Sequence, residues 1–318
     1  MLRFGTDGVR GVANSELTPE LALALGRAAA RVLGGDRVVI GRDTRRSGPM
    51  LEAALAAGFS SEGVEVVRLG VVPTPAVAHA SVALGVTGAM ISASHNPFAD
   101  NGIKLFAAGG RKLPDEVEER LEVVLHDLLH GLDREPRPSG VAVGQIAGEP
   151  PGPSAHEAAE LLDAYRDSVL GAIAGRRLDG IAVVLDCAHG AASAIAPDVL
   201  SASGVDLTVV HAEPDGSNIN TDAGSTAPDV LAGAVRDAGA DLGLALDGDA
   251  DRLVAVDATG AVVDGDHLLA ILAIDRVERD ALPGHTVVAT VMSNLGFRQA
   301  MSDRGIQVVE TAVGDRYV

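Results

Sequence analysis

The chain has 318 residues, 47% of them apolar, and a formal net charge of −19. A field of that sign repels polyanions, which argues against free nucleic acid and anionic membranes as partners. The single cysteine, Cys187, excludes an internal disulfide, and no apolar run reaches about 18 residues without a charge, so no transmembrane helix is expected. The start, MLRFGTDGVRG, lacks a charged-then-apolar leader, and together with the cysteine count this predicts a cytoplasmic protein. Tryptophan is absent and the apolar mass is mostly Ala, Val and Leu, which suits packed α/β layers spread over two or three domains.

The first predicted unit is RVVIGRDTRRSGPMLEAALAAGFSSEGVEVVRLG, from Arg37. It has an apolar β-branched run, a loop of small and polar residues, a helix-like stretch, then Gly-Val and a second apolar run. That is a strand–helix–strand unit with strands buried on both faces, as in a parallel sheet. Within it, Asp43, Arg45 and Ser47 read as residues that hold a loop, and farther upstream Asp7 as one that orders the opening segment.

The stretch ISASHNPFADNGIKLF follows, from Ile91 to Phe106. Taken alone, Ser94 is an ordinary turn serine. Its neighbour His95 would point to the opposite face of a strand, and no G-x-S-x-G surrounds it, so a hydrolase triad is not indicated. Asn96-Pro97 and Asn101-Gly102 are both turn signals that would hold Ser94 on a rigid loop and bring Lys104 back towards it. A phosphate on that hydroxyl would carry nearly two negative charges and three acceptor oxygens.

From Leu113, LPDEVEERLEVVLHDLL predicts an amphipathic helix with an acidic start. Residues 134–157, rich in Pro and Gly, read as a domain boundary or as a surface loop. IAVVLDCAHGAASAIAPDVLSASGVDLTVV repeats the first unit and TVVATVMSNLGFRQAMSDRGIQVVE repeats it again, with helix ends expected at Gly63, Gly204 and Gly305. The three copies predict related α/β domains in series, with mixed, mainly parallel sheets: residues 1–150, 151–252 and a partial third domain at 253–318.

Between the second and third units lies LGLALDGDADRLVAVD, which holds Asp247, Asp249 and Asp251. Alternate spacing aims three carboxylates at one point, where hard oxygen ligands suit Mg²⁺. An EF-hand is ruled out, because its Gly and Glu positions hold Arg252 and Ala258. A dehalogenase-type phosphatase pattern is weakened, because Asp251 stands where that pattern takes Thr or Val. A solvated acidic turn is the plain alternative, set against the position of the run directly after a strand-like segment. His79, His211, His267 and His285 lack ligand spacing, and Cys187 reads as a small buried side chain.

Together SASHNP with NGIK, DGDADR and the opening FGTDGVRG resemble the α-D-phosphohexomutase superfamily. FGTDGVRGVANSELT, SASHNPFADNGIKLF, LDCAHGA, PDGSNIN followed by AGST, and VGDRYV make the chain most similar to its bacterial phosphoglucosamine mutase branch. The resemblance implies that Ser94 is a phosphoserine. It implies that Ser94 with Asp247, Asp249 and Asp251 holds Mg²⁺, and that Arg10, Lys104 and Arg252 surround the transferring group. Lys104 would assist proton transfer if burial lowers its pKa. His95 and Asn96 would shape the loop or contact phosphate. The implied reaction converts glucosamine 6-phosphate to glucosamine 1-phosphate through a bisphosphate, and a homodimer through the first domain is implied with it.

By the same resemblance, a G-E-x-S sugar-recognition loop and a fourth-domain phosphate loop are expected, and neither motif occurs in the 318 residues. A truncated, poorly active form is therefore expected, with an exposed edge on the third sheet. The alternatives are a phosphomannomutase/phosphoglucomutase of the same fold, a Mg²⁺-dependent phosphatase with its covalent phosphate on Asp247, and a non-catalytic sugar-phosphate binder.

Overall fold

A computed structural model describes residues 8–147, 153–314 and 317–318. Asp7, and Asp315 and Arg316 of the terminal VGDRYV, lie outside these residues.

The first part of the chain runs β1 (Val9–Val12), α1 (Pro19–Leu33), β2 (Arg37–Arg42), α2 (Gly48–Ser61), β3 (Glu65–Val71) and α3 (Thr74–Leu84). It continues through β4 (Thr87–Ile91), β5 (Asp100–Ala107), β6 (Arg111–Lys112), α4 (Asp115–Leu129) and β7 (Ile146–Ala147). Its sheet has the order β1-β5-β4-β2-β3-β7, with β6 on β5. Strands β4, β2, β3 and β7 pair in parallel, and β1, β5 and β6 are antiparallel to their neighbours. Helix α1 starts as its sequence dictates: the Thr18 hydroxyl accepts the Leu21 N–H at 3.3 Å and Pro19 fills the first turn. The acidic start expected for α4 is Asp115, Glu116 and Glu118. One face of the sheet buries Val38, Ile40 and Ala89 against α1, α2 and α4. Arg27 and Arg31 clamp this layer, reaching Glu62 at 2.6 and 2.9 Å and Asp133 at 2.9 Å each. The Arg31 hydrogen bond leads the causes that hold the Asp133 carboxyl well below the usual carboxylate range.

The stretch 134–157 is more than a connector, because β7 extends the first sheet at β3 and Gln145 accepts the Val66 N–H at 2.7 Å. Then come α5 (Pro153–Gly171), β8 (Ala182–Asp186), α6 (Ile195–Ser203), β9 (Asp206–Val210) and α7 (Pro228–Ala238). They are followed by β10 (Leu242–Leu246), β11 (Leu253–Asp257) and β12 (Val262–Val263). The second sheet has the order β12-β11-β10-β8-β9, parallel across β10, β8 and β9 and antiparallel beyond. The divide expected after Arg252 falls inside this sheet, since β11 turns straight back along β10. Helix α5 joins the two sheets. Ala158 and Leu161 share one apolar cluster with Val39, Val67 and Val77 of the first sheet's layer and with Ile195 and Val199 of α6.

The last elements are α8 (Gly265–Glu278), β13 (Thr286–Thr290), α9 (Leu295–Asp303) and β14 (Gln307–Thr311). The expected third unit is present, and β13 and β14 pair in parallel with each other and with no other described strand. Of the three glycines expected at helix ends, Gly204 caps α6 directly, while Gly63 and Gly305 stand one residue past the caps of α2 and α9. No helix among the described residues is long and apolar enough to cross a membrane.

Candidate functional site at the seam of the first two sheets

The parallel strands β2, β3, β4 and β10 all end at one seam, and each supplies polar residues just beyond its C-terminal end. That is where open α/β sheets place ligands. After β4, Ser94 takes φ = 54°, in the left-handed region. Such a conformation costs a non-glycine residue roughly 1–3 kcal/mol and persists only where the surroundings enforce it. The enforcement here is Arg45, which is fully buried. Its Nη2 donates to the carbonyls of Ser94 and Asn96, each at 2.9 Å, and its Nη1 to those of Pro97 and of Asp100 at 3.1 Å. Asp43 anchors Arg45 in turn, accepting from its Nε at 2.9 Å, and also accepts the Ser92 hydroxyl at 2.6 Å. Burial pushes the Asp43 carboxyl up, against the opposing pull of Arg45. Ser47 accepts the Asn101 side-chain N–H at 2.9 Å. The loop-holding reading of Asp43, Arg45 and Ser47 thus corresponds to direct contacts with the serine loop.

The second sheet's side grips the same loop. Asn220 Nδ2 donates to the Ser94 carbonyl at 2.9 Å and to the Asn96 carbonyl at 3.2 Å. Gly248 must be glycine, since a Cβ there would stand 2.6 Å from the Ser94 carbonyl oxygen. The Asn96 side chain itself turns into the loop, donating to Asp100 Oδ2 at 2.9 Å.

Beyond β10 the three aspartates converge, with one oxygen from each lying within 4.8 Å of the others. Asp247 Oδ2 accepts the Ser94 hydroxyl at 2.5 Å. Asp249 Oδ2 accepts from Thr74 Oγ1 at 2.6 Å and from Lys104 Nζ at 2.7 Å, and Asp251 Oδ2 takes Lys104 Nζ at 2.9 Å. Asp249 Oδ1 is buried with no hydrogen-bond partner. Leaving a buried carboxylate oxygen unpaired is expensive, so this atom is an available ligand. Burial, with the charges of Asp249 and Asp251 behind it, pushes Asp247 up to about 6. For Asp249 burial also works against ionisation, but Lys104 and Thr74 outweigh it and the net direction is down.

Arg252 Nη2 donates to Ser94 Oγ at 2.6 Å and also meets His95 Nδ1. It lies 3.3 Å from Asp247 Oδ2, with half its side chain exposed. Burial first, then the charges of Arg252 and Arg10, hold His95 below its ordinary pKa. Arg10 sits on β1 opposite Gly102 of β5, the strand that carries Lys104. Burial alone would lower Lys104, but Asp249 and Asp251 more than offset it and the net direction is up. In this arrangement Lys104 is an ammonium bridging two carboxylates.

Two contributors escaped the sequence reading. Thr74, at the start of α3, also donates its backbone N–H to the Asp249 carbonyl at 2.8 Å. Its position straight after β3 was the available signal. Asn220 lies in PDGSNIN, which served only as a landmark.

The chain matches the phosphoglucomutase/phosphomannomutase family models for alpha/beta/alpha domain I over residues 1–128, domain II over 162–260 and domain III over 264–318. It is 54% identical over 324 residues to the phosphoglucosamine mutase of Streptomyces coelicolor, and 54% identical over 328 residues to that of Frankia alni. Each match covers 99% of this chain and 69% of the relative. A crystal structure of a phosphoglucomutase/phosphomannomutase family protein from Burkholderia thailandensis shares the fold, with a TM-score of 0.79 at 24% identity over 98% of this chain and 67% of that one.

Proposed function

Because this chain belongs to the phosphoglucomutase/phosphomannomutase family, we propose that it is a phosphohexosamine mutase that moves a phosphoryl group through Ser94 between the 6- and 1-positions of glucosamine phosphate. The supporting observation is the 2.5 Å contact between Ser94 Oγ and Asp247 Oδ2, which sets the hydroxyl within the acidic triad. The relatives' shared name supports the amino-sugar substrate.

In the forward step the bond from phosphorus to Ser94 Oγ breaks and one from phosphorus to a sugar hydroxyl oxygen forms. The sugar hydroxyl gives up its proton and Ser94 regains one. The resulting bisphosphate turns over, and its other phosphate returns to Ser94 by the reverse bond changes. Such transfers ask for in-line placement and charge neutralisation more than for covalent chemistry. The rigid loop fixed by Arg45 and Asn220 supplies placement for Ser94. Arg252, Lys104 and Arg10 supply fixed positive charge around a group that brings nearly two negative charges.

The donor set fits a hard divalent ion, with three converging carboxylates and the unpaired Asp249 Oδ1. Asp247, Asp249 and Asp251 would hold it, and we take it to be Mg²⁺. When bound, it supplies charge neutralisation at the transferring group. We place the enzyme in the cytoplasm, and we place the second domain border after Val263 rather than after Arg252, because β11 and β12 pair on the second sheet.

The test compares turnover of glucosamine, glucose and mannose 6-phosphates with Mg²⁺ present. The expected result is highest kcat/KM for the amino sugar, with a loss of at least about 10³-fold in Ser94→Ala. Dominant turnover of mannose phosphate, or activity retained in Ser94→Ala, would overturn the proposal.

A further inference from the structure

Helix α4 closes on the sequence LHDLLH, which puts His126 and His130 one turn apart on one face. Both side chains are exposed, and their rings stack with centroids 4.1 Å apart and planes 25° from parallel. His126 Nδ1 lies 3.4 Å from Asp127 Oδ1, and His130 Nδ1 lies 2.8 Å from the backbone carbonyl oxygen of His126. Both partners are oxygen acceptors, so Nδ1 is the ring atom placed to donate and Nε2 the ring atom left to face a metal. Tying one ring nitrogen to a carboxylate or a carbonyl is how metal-binding histidines are oriented.

We propose that His126 and His130 form a two-imidazole chelate for a borderline divalent transition ion, Cu²⁺, Ni²⁺ or Zn²⁺. Imidazole nitrogen favours these ions, whereas the aspartate triad offers only hard oxygen, so the chain would sort two classes of metal by donor chemistry. One ion about 2.0–2.1 Å from both nitrogens requires the rings to leave their stacked arrangement, 4.1 Å between centroids and 25° between planes, and turn until the two Nε2 lone pairs converge. The surrounding charge favours a cation. The site lies on the last turn, at the negative end of the helix dipole, beside Asp127 and on a chain of net charge −19. No third His, Cys, Asp or Glu converges on the pair among the described residues, so water completes the coordination and the class is a moderate-affinity, exchangeable site.

The probe is Cu²⁺, the tightest-binding of these ions at a given site. The 318-residue chain is first saturated with Mg²⁺ to occupy the carboxylates. Cu²⁺ is then titrated with calorimetry and electron paramagnetic resonance. The first equivalent is expected to show two coordinated imidazole nitrogens. His126→Ala and His130→Ala are each expected to weaken it by at least about tenfold, while His156→Ala leaves it unchanged. Because both rings are exposed, the variants should fold, and circular dichroism checks this. An unchanged first equivalent in His126→Ala and His130→Ala, or a spectrum with oxygen ligands only, would overturn the proposal.

Discussion

Replacing Arg45 with Met keeps length and apolar bulk but removes the guanidinium at the centre of the serine loop. The side chain makes five donor contacts, one to the Asp43 carboxylate and four to the carbonyls of Ser94, Asn96, Pro97 and Asp100. Hydrogen bonds to a charged group are worth about 1.5–3 kcal/mol each but do not add within one network. The governing figure is the cost of breaking a buried pair by removing one partner, about 3–5 kcal/mol. Much of that cost is Asp43 left buried and unpaired, so Arg45→Met combined with Asp43→Asn should recover part of it. Urea unfolding of the three variants measures this, read from midpoints at constant slope. A loss below about 1 kcal/mol in Arg45→Met, or no recovery in the double variant, would refute the view that this pair holds the loop in its left-handed conformation.

Thr74→Val should lower activity about tenfold by leaving Asp249 without its hydroxyl donor, and Thr74→Ser should restore it. A rescue by Ser in kcat separates alignment of the carboxylate from mere packing. Cys187 is fully buried and its thiol is pushed up to about 12, by burial first and then by Asp186. Its alkylation in native protein near neutral pH should therefore follow the rate of unfolding, and rapid stoichiometric labelling would contradict this burial. The depressed Asp133 carboxyl should stabilise the fold above the ordinary carboxylate pKa and lose that effect as pH falls. The Tm deficit of Asp133→Asn is accordingly expected in full at neutral pH and to shrink below about pH 4.

The parts legible in the sequence are those written locally. Parallel strands appear as continuous apolar runs, so the units containing β2–α2–β3, β8–α6–β9 and β13–α9–β14 could be read directly, although β9 and β14 turn out to be largely exposed edge strands, not strands buried on both faces. The Asp247–Asp251 run and the turn residues around Ser94 declare themselves by spacing. What escaped the sequence depends on partners distant in the chain. Thr74 meets Asp249 across 175 residues, and Asn220 meets Ser94 across 126, and neither contact leaves a local pattern. The antiparallel return of β11 onto β10 resembles a domain divide in one dimension, because an apolar run says nothing about which sheet it joins. Strand β7 is two residues long and carries no periodicity. The charge on Lys104 likewise depends on partners distant in the chain. Burial and two carboxylates pull it in opposite directions, and only the 2.7 and 2.9 Å contacts decide which prevails.

The most direct measurement is to incubate the chain with glucosamine 1,6-bisphosphate and Mg²⁺, then locate the acquired phosphate by peptide mapping under conditions that preserve both serine and acyl phosphates. The account expects one phosphoryl group, on the peptide containing Ser94 and absent in Ser94→Ala. A phosphate found on Asp247, or on any residue other than Ser94, would contradict it.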